Sequence, residues 1–409
     1  MYRAVAIGFV VLGHWMMVAP VYSDGAVSLA NILAEDPWTQ YLTWLFQVMP
    51  VFFFVGGFSN AISWTSARQD PERRRIWAAT RLARLLKPTV PLILLWALAG
   101  FVAKLAGVPR ELIDPASQAA LVPVWFLAVY IVITVAVPVT AWVWDRIGPV
   151  SVLVLMLGAI AVDAIAFGMD MGWLRWANYG FVWLAVHQMG FWWQDRDRWQ
   201  PPWPLVSAFG LIWMLILVVG LGFPLALISV PGEDISNTRP PTTAMLAIGL
   251  LHIGFLIGIL PLVRRALENR RLWAAVILVN QMIMTVYLWH LTAVIVLLGL
   301  SMAAGGLGMG IAPGTPLWWL LRPVWVICLV LALLPFVLMF FRFEAGGKST
   351  TRALPGHVQA MLGALMTCAG MIRLALNGIG SGFAPGFDGF AVALVIAGAL
   401  VATRRFGAP

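Results

Sequence analysis

The sequence predicts an all-α fold, a polytopic transmembrane helix bundle of about twelve spans, and three observations predict it. Of 409 residues, 61% are hydrophobic and 11% charged, with a mean hydropathy of +0.90, whereas soluble domains are roughly a quarter charged. The charged side chains cluster between apolar stretches long enough to cross a hydrocarbon core about 30 Å thick. Lys and Arg also fall unevenly on alternate sides of the resulting map, as orientation in a bilayer requires.

Apolar runs bounded by charge, Pro or Gly place spans near 4–20, 39–64, 88–107, 122–143, 149–168 and 176–194. A second set follows near 203–230, 243–263, 274–299, 317–341, 358–376 and 386–403. One side holds Arg3, 68–87, Arg146, Arg196, Arg198, 264–271, 342–352, Arg404 and Arg405, about 20 of the 26 Lys and Arg. The other holds Lys104, Arg110, Arg175, Arg239, Arg322 and Arg373. The expectation is a plasma (inner) membrane protein with both termini cytoplasmic. The first span has a rival reading as a signal peptide ending at Val21-Tyr22-Ser23, but His14 and Trp15 are foreign to the apolar centre of such a segment.

The net charge of +9 does not imply nucleic acid, because the basic residues lie in short loops where orientation accounts for them. Cys328 and Cys368 lie in apolar stretches without CxxC or Cys/His metal spacing, so no metal is expected. No internal repeat or separate soluble domain is visible, and the loops are too short for extramembrane catalysis. Chemistry is therefore expected inside the bundle, where ionisable residues are expensive and each is a candidate: His14, Asp163, His187, His252, His290 and Arg373.

Arg3 and His14 are eleven positions apart, almost three turns, so they share a helix face and the imidazole lies roughly 16 Å in, near mid-bilayer. The alternative is an orienting Arg and a hydrogen-bonded core His. Met49-Pro50-Val51-Phe52-Phe53-Phe54-Val55-Gly56-Gly57-Phe58-Ser59-Asn60-Ala61 invites close helix approach at the glycines and a kink or break at Pro and Gly. By physics alone this is ordinary helix packing. The connector from Arg73 to Pro88 separates charged from apolar residues and reads as an amphipathic helix lying in the cytoplasmic interface. Its Arg81 and Arg84 face one way and can hold a phosphate, or equally a lipid headgroup. In the ninth span, Tyr287-Leu288-Trp289-His290 places His290 about 24 Å from Ala274, in the outer leaflet.

Taken in order, Arg3-x10-His14, the Phe52-Phe53-Phe54-x-Gly56-Gly57-Phe58 stretch, Arg81-x-x-Arg84 before Pro88, Trp125-Phe126-Leu127 and Tyr287-Leu288-Trp289-His290 resemble acyltransferase family 3 of membrane proteins. The resemblance covers residues 1–341, ten spans in the usual family plan, and makes 342–409 a C-terminal extension with two further helices. One departure is that Arg3 follows almost directly on Met1. The resemblance implies an O-acyltransferase carrying an acetyl or short acyl group from cytoplasmic acyl-CoA, acetyl-CoA above all, to a hydroxyl. It assigns His14 and Arg3 to catalysis and Arg81 and Arg84 to the CoA phosphates, with Tyr287 and His290 as acceptor contacts and no tightly bound cofactor.

The short, nearly uncharged outer loops favour a glycolipid, lipid-linked sugar or amphiphilic metabolite over a long polysaccharide as acceptor. A secondary transporter also has about twelve spans and buried His residues, but the two halves show no matching broken helices. A structural membrane protein needs no buried Arg-x10-His. Binding of CoA separates these alternatives.

Overall fold

A computed structural model describes residues 1–23, 26–344, 354–380 and 387–405. Lys348, Arg352 and the C-terminal Pro409 lie outside them. Helix α1 (Tyr2–Met17) leads into an antiparallel hairpin of β1 (Val18–Ser23) and β2 (Ala26–Asn31), followed by short turns at Ile32–Glu35, Pro37–Leu42 and Thr43–Phe46. Then come α2 (Met49–Ala67), α3 (Pro71–Leu105), α4 (Arg110–Ile147), α5 (Val150–Gly168), α6 (Asn178–Gln194) and α7 (Trp203–Leu215). The remainder is α8 (Thr243–Gly258), α9 (Leu260–Ala266), α10 (Arg270–Gln281), α11 (Ile283–Ala303), α12 (Pro316–Glu344), α13 (His357–Asn377) and α14 (Gly389–Thr403).

The all-α bundle is borne out. Among the described residues 8 helices are long and apolar enough to cross a membrane, 9 if the pair α8 and α9, bent by 52°, counts as one span. The shorter α1, α6 and α14 occupy the other expected positions.

Four expectations are corrected. The first span stops at Met17 because Pro20 disfavours helix in the residue before it, and Val18 is already extended at φ −74, ψ 120. His14 therefore lies in the last turn of a 16-residue helix rather than at the middle of a longer one. The seventh span does not reach residue 230: α7 ends in a π-helical turn, Ile216–Gly220, and Gly222 takes φ +69, a left-handed value that glycine adopts without strain. The ninth span breaks at Met282. There Asn280 donates its side-chain amide to the Val276 carbonyl at 2.7 Å, and a new helix starts under Glu344. Finally, the basic connector is no separate interfacial helix, since α3 runs unbroken for 35 residues through Pro88 and Pro91. Its apolar face, including Ile76, Leu82 and Leu86, is buried within the protein rather than against lipid.

The chain divides into two compact units. Unit one comprises Met1–Ser63, Pro138–Asn280 and Gly305–Pro323. Its α2 and α6 cross at Gly57 and Gly190, where added Cβ atoms would lie 1.9 Å from the His187 carbonyl oxygen and 2.3 Å from the Phe58 nitrogen. The double-glycine stretch is thus a helix contact, as its physics suggested, and α2 continues helical past it. Phe53 stacks on Trp183 at 4.6 Å, and Asn60 Nδ2 lies 3.2 Å from His187 Nε2. Helices α7 and α8 approach in the same way at Gly210 and Gly254. The segment between them is fixed by buried polar contacts. Asn237 donates to the Pro224 and Ala226 carbonyls, Gln47 donates to Thr238 at 3.1 Å, and Arg175 Nη2 donates to the Ser236 carbonyl at 2.8 Å. Burial holds the Arg175 guanidinium below its usual pKa, an effect that the charge of Asp163 opposes.

Unit two comprises Trp64–Val137, Gln281–Ala304 and Val324–Pro409. Helices α13 and α14 pack closely through Gly363, Gly370 and Gly398; a Cβ on Gly363 would lie 2.3 Å from the Ala402 nitrogen. Both also pack on α3. Arg373 of α13 pairs with Asp388, whose carboxylate also accepts from the Ala391 amide at 3.0 Å and so starts α14.

Candidate active site

In unit one, Arg3 and His14 both belong to α1, eleven residues apart and close to one face. Arg3 is exposed in the first turn and His14 is half-buried in the last. The helix rests on the turn at Thr43–Phe46: Phe9 meets Phe46 edge to face at 5.5 Å, and a Cβ on Gly13 would lie 3.2 Å from the Phe46 Cβ. His14 follows that contact directly in sequence, so the packing of Phe9 and Gly13 fixes its rotation about the helix axis.

The other ionisable candidates of this unit are occupied by packing. Asp163 accepts from Asn178 at 2.8 Å and from the Thr243 backbone amide at 2.7 Å, which places a carboxylate at the positive end of α8. His252 Nε2 lies 2.8 Å from the Trp44 carbonyl and must donate, because a carbonyl only accepts. His187 is fully buried; with Asn60 donating to its Nε2, the ring proton sits on Nδ1.

In unit two, α3 carries Arg81 and Arg84. Arg81 is half-buried with its guanidinium 5.8 Å from the Trp77 ring centre, while Arg84 is exposed. Trp77 is itself wedged edge-on against Trp64 at 5.3 Å. Helix α11 carries Tyr287 and His290, both buried. The Tyr287 hydroxyl donates to the Pro123 carbonyl at 2.9 Å, and its ring meets Phe126 edge to face at 5.8 Å. The structure therefore brings the Trp125-Phe126-Leu127 segment against Tyr287. His290 Nδ1 lies 2.6 Å from the Tyr287 carbonyl, so the neutral ring keeps its proton on Nδ1 and the lone pair on Nε2. Because α11 begins at Ile283, His290 stands about 10 Å from the helix start. The expected 24 Å, counted along one helix from Ala274, is corrected accordingly.

Sequence reasoning missed Glu344. Its carboxylate accepts from the Met284 amide at 3.0 Å and from the Thr285 amide and hydroxyl, each at 2.9 Å, and so anchors the start of the helix that bears Tyr287 and His290. A lone acid at the end of an apolar span beside Arg342 was the available signal. Asn60 was quoted within the glycine stretch but not singled out, although a polar amide inside a span is such a signal. Among the described residues no cluster of His, Cys, Asp and Glu has the arrangement of a metal site.

No curated protein and no solved structure matches the chain. A family model, that of acyltransferase family 3, described as an acyltransferase domain, matches residues 1–342. That span includes α1, α3 and α11 with Arg3, His14, Arg81, Arg84, Tyr287 and His290, and the chain belongs to acyltransferase family 3, as a multi-pass membrane acyltransferase.

Proposed function

We propose that the chain is a plasma-membrane O-acyltransferase, moving an acetyl or short acyl group from cytoplasmic acyl-CoA to a hydroxyl of a glycolipid, lipid-linked sugar or amphiphilic metabolite. The observation that carries this reading is the register of Arg3 and His14 on α1 in a chain of this family. His14 takes the proton of the acceptor hydroxyl as its oxygen attacks the thioester carbonyl. The C–S bond then breaks, and CoA leaves as a thiolate that takes up the proton. General-base help of this kind contributes roughly 10² to 10⁴ in rate, and holding the two substrates in place supplies much of the rest. Arg3 steadies CoA or tunes His14.

Arg81 and Arg84 hold CoA phosphates, with two guanidinium forks three residues apart on α3. The stack of Trp77 under Arg81 limits the rotamers of that fork and so lowers the entropy lost on binding. Tyr287 and His290 contact the acceptor. Residues 342–409 are an addition to the catalytic core, and α13 and α14 buttress the helix bearing Arg81 and Arg84. Both termini are cytoplasmic. The test is binding of CoA to purified protein, together with lipid and metabolite profiles of cells with and without the gene. A single acyl-sized mass difference and saturable CoA binding are expected; absence of CoA binding refutes the donor assignment.

A further inference from the structure

Where α1 ends, unit one carries a surface that the catalytic assignment does not use. Ala19, Leu33, Val230 and Trp318 belong to one buried cluster there, with Trp319 packed against it. Trp38 and Trp319 lie above, ring centres 5.5 Å apart and planes inclined by 41°. Trp318 supports Trp319 edge-on at 4.8 Å, and the Arg322 guanidinium lies 3.3 Å from the Trp318 ring centre. Trp38 remains 51% exposed, yet its indole N–H donates to Asp36 Oδ2 at 2.8 Å. The ring is therefore held by its edge while half its surface stays open.

Exposed tryptophans at the end of a span ordinarily anchor the protein in the headgroup layer, with the N–H turned to the interface. Here the N–H of Trp38 is bound to a carboxylate instead. Beside Asp36 in the chain, the exposed Glu35 adds a second negative charge, which disfavours a phosphate next to Trp38. An uncharged sugar ring suits both features: its C–H face covers an indole, and hydroxyls on its rim donate to carboxylate oxygens.

We propose that Trp38, Trp319 and Asp36 form a binding subsite for an uncharged sugar ring of the acceptor. The proposal rests on the glycosylated-acceptor reading given above and names the part of the molecule that receives it. The test is saturation-transfer NMR on the full chain in lipid nanodiscs with maltose, cellobiose and N,N′-diacetylchitobiose, with CoA binding measured on the same samples. At least one disaccharide should receive saturation from the wild type. The Trp38→Ala, Trp319→Ala double variant should bind it about tenfold or more weakly, and Asp36→Asn measurably so, while Trp38→Phe retains it. CoA binding should be equal in all four proteins, which also shows that they are folded. Absence of transfer from all three sugars to the wild type, or an unchanged signal in a double variant that still binds CoA, overturns the subsite. Sugar transfer without CoA binding in the wild type sinks the donor assignment and leaves the subsite standing.

Discussion

Gly57→Ala adds one methyl group at the crossing of α2 and α6, and the structure fixes what that methyl meets. Its Cβ would lie 1.9 Å from the His187 carbonyl oxygen and 2.8 Å from the carbonyl carbon. Both are backbone atoms and cannot rotate away. Recovering an ordinary carbon–oxygen contact of about 3.3 Å requires the helices to part by roughly 1.4 Å. The hydrogen bond from Asn60 to His187, now 3.2 Å, spans the same interface and would be lost, leaving two buried polar groups unpaired. Overpacking costs about 1 to 3 kcal/mol and an unsatisfied buried group a further 1 to 3, so a loss of roughly 2 to 6 kcal/mol is expected. Gly8→Ala is the matched control, because nothing lies within 4 Å of its Cβ and alanine favours helix by about 1 kcal/mol. Thermal unfolding in one detergent, followed by tryptophan fluorescence, reads both. A Gly57→Ala protein as stable as Gly8→Ala would show that the α2 and α6 contact is not as described.

Two further outcomes are expected. Arg81→Ala with Arg84→Ala should weaken CoA binding by one or two charge-assisted contacts, each about 1.5 to 3 kcal/mol, and salt should weaken wild-type binding in the same direction; equal titrations of both proteins would assign that face of α3 to lipid headgroups. Glu344→Ala should leave the Met284 and Thr285 amides without their acceptor, cost about 1 to 2 kcal/mol and lower acyl transfer through Tyr287 and His290, whereas Glu344→Gln, which still accepts through its carbonyl oxygen, should recover most of the activity. Equal activity in all three proteins would remove Glu344 from the account.

The fold was legible because membrane spans are written locally, as unbroken apolar length, and every expected stretch from α1 to α14 contains helix. Boundaries failed where a local competitor outweighed hydropathy. Pro20 ended α1, the Asn280 amide and the Glu344 carboxylate split the ninth span, and Gly222 opened a polar segment that average hydropathy had merged with α7. The connector from Arg73 to Pro88 misled for a different reason. An amphipathic pattern shows that one face is apolar but not whether lipid or protein covers it; here that face is buried within the protein, and α13 and α14, remote in sequence, pack on the same helix.

The candidate site divides similarly. Spacing within one helix gave the shared face of Arg3 and His14, whereas the contact of His290 with the Tyr287 carbonyl, though local to one turn, was not read from the sequence. Partners remote in sequence were not legible: Asn60 with His187, Asn178 and Thr243 with Asp163, Pro123 with Tyr287, and Glu344 with the start of α11. Those partners explain why Asp163, named as a candidate for its burial alone, is committed to anchoring α8.

The central claim is that His14 moves a proton, and acyl transfer by His14→Gln and His14→Asn tests it most directly. A packing histidine would matter for stability, so an amide that still hydrogen-bonds would restore activity lost in His14→Ala. A general base cannot be replaced in this way, because neither amide accepts and returns a proton near neutral pH. Both amide variants should unfold at the wild-type temperature and bind CoA normally, yet lose about 10² to 10⁴ of the transfer rate. His290→Ala should keep some turnover at raised acceptor concentration, as loss of an acceptor contact would. Wild-type transfer by a stable, CoA-binding His14→Gln protein would contradict the account and move the search for the base to the other buried histidines.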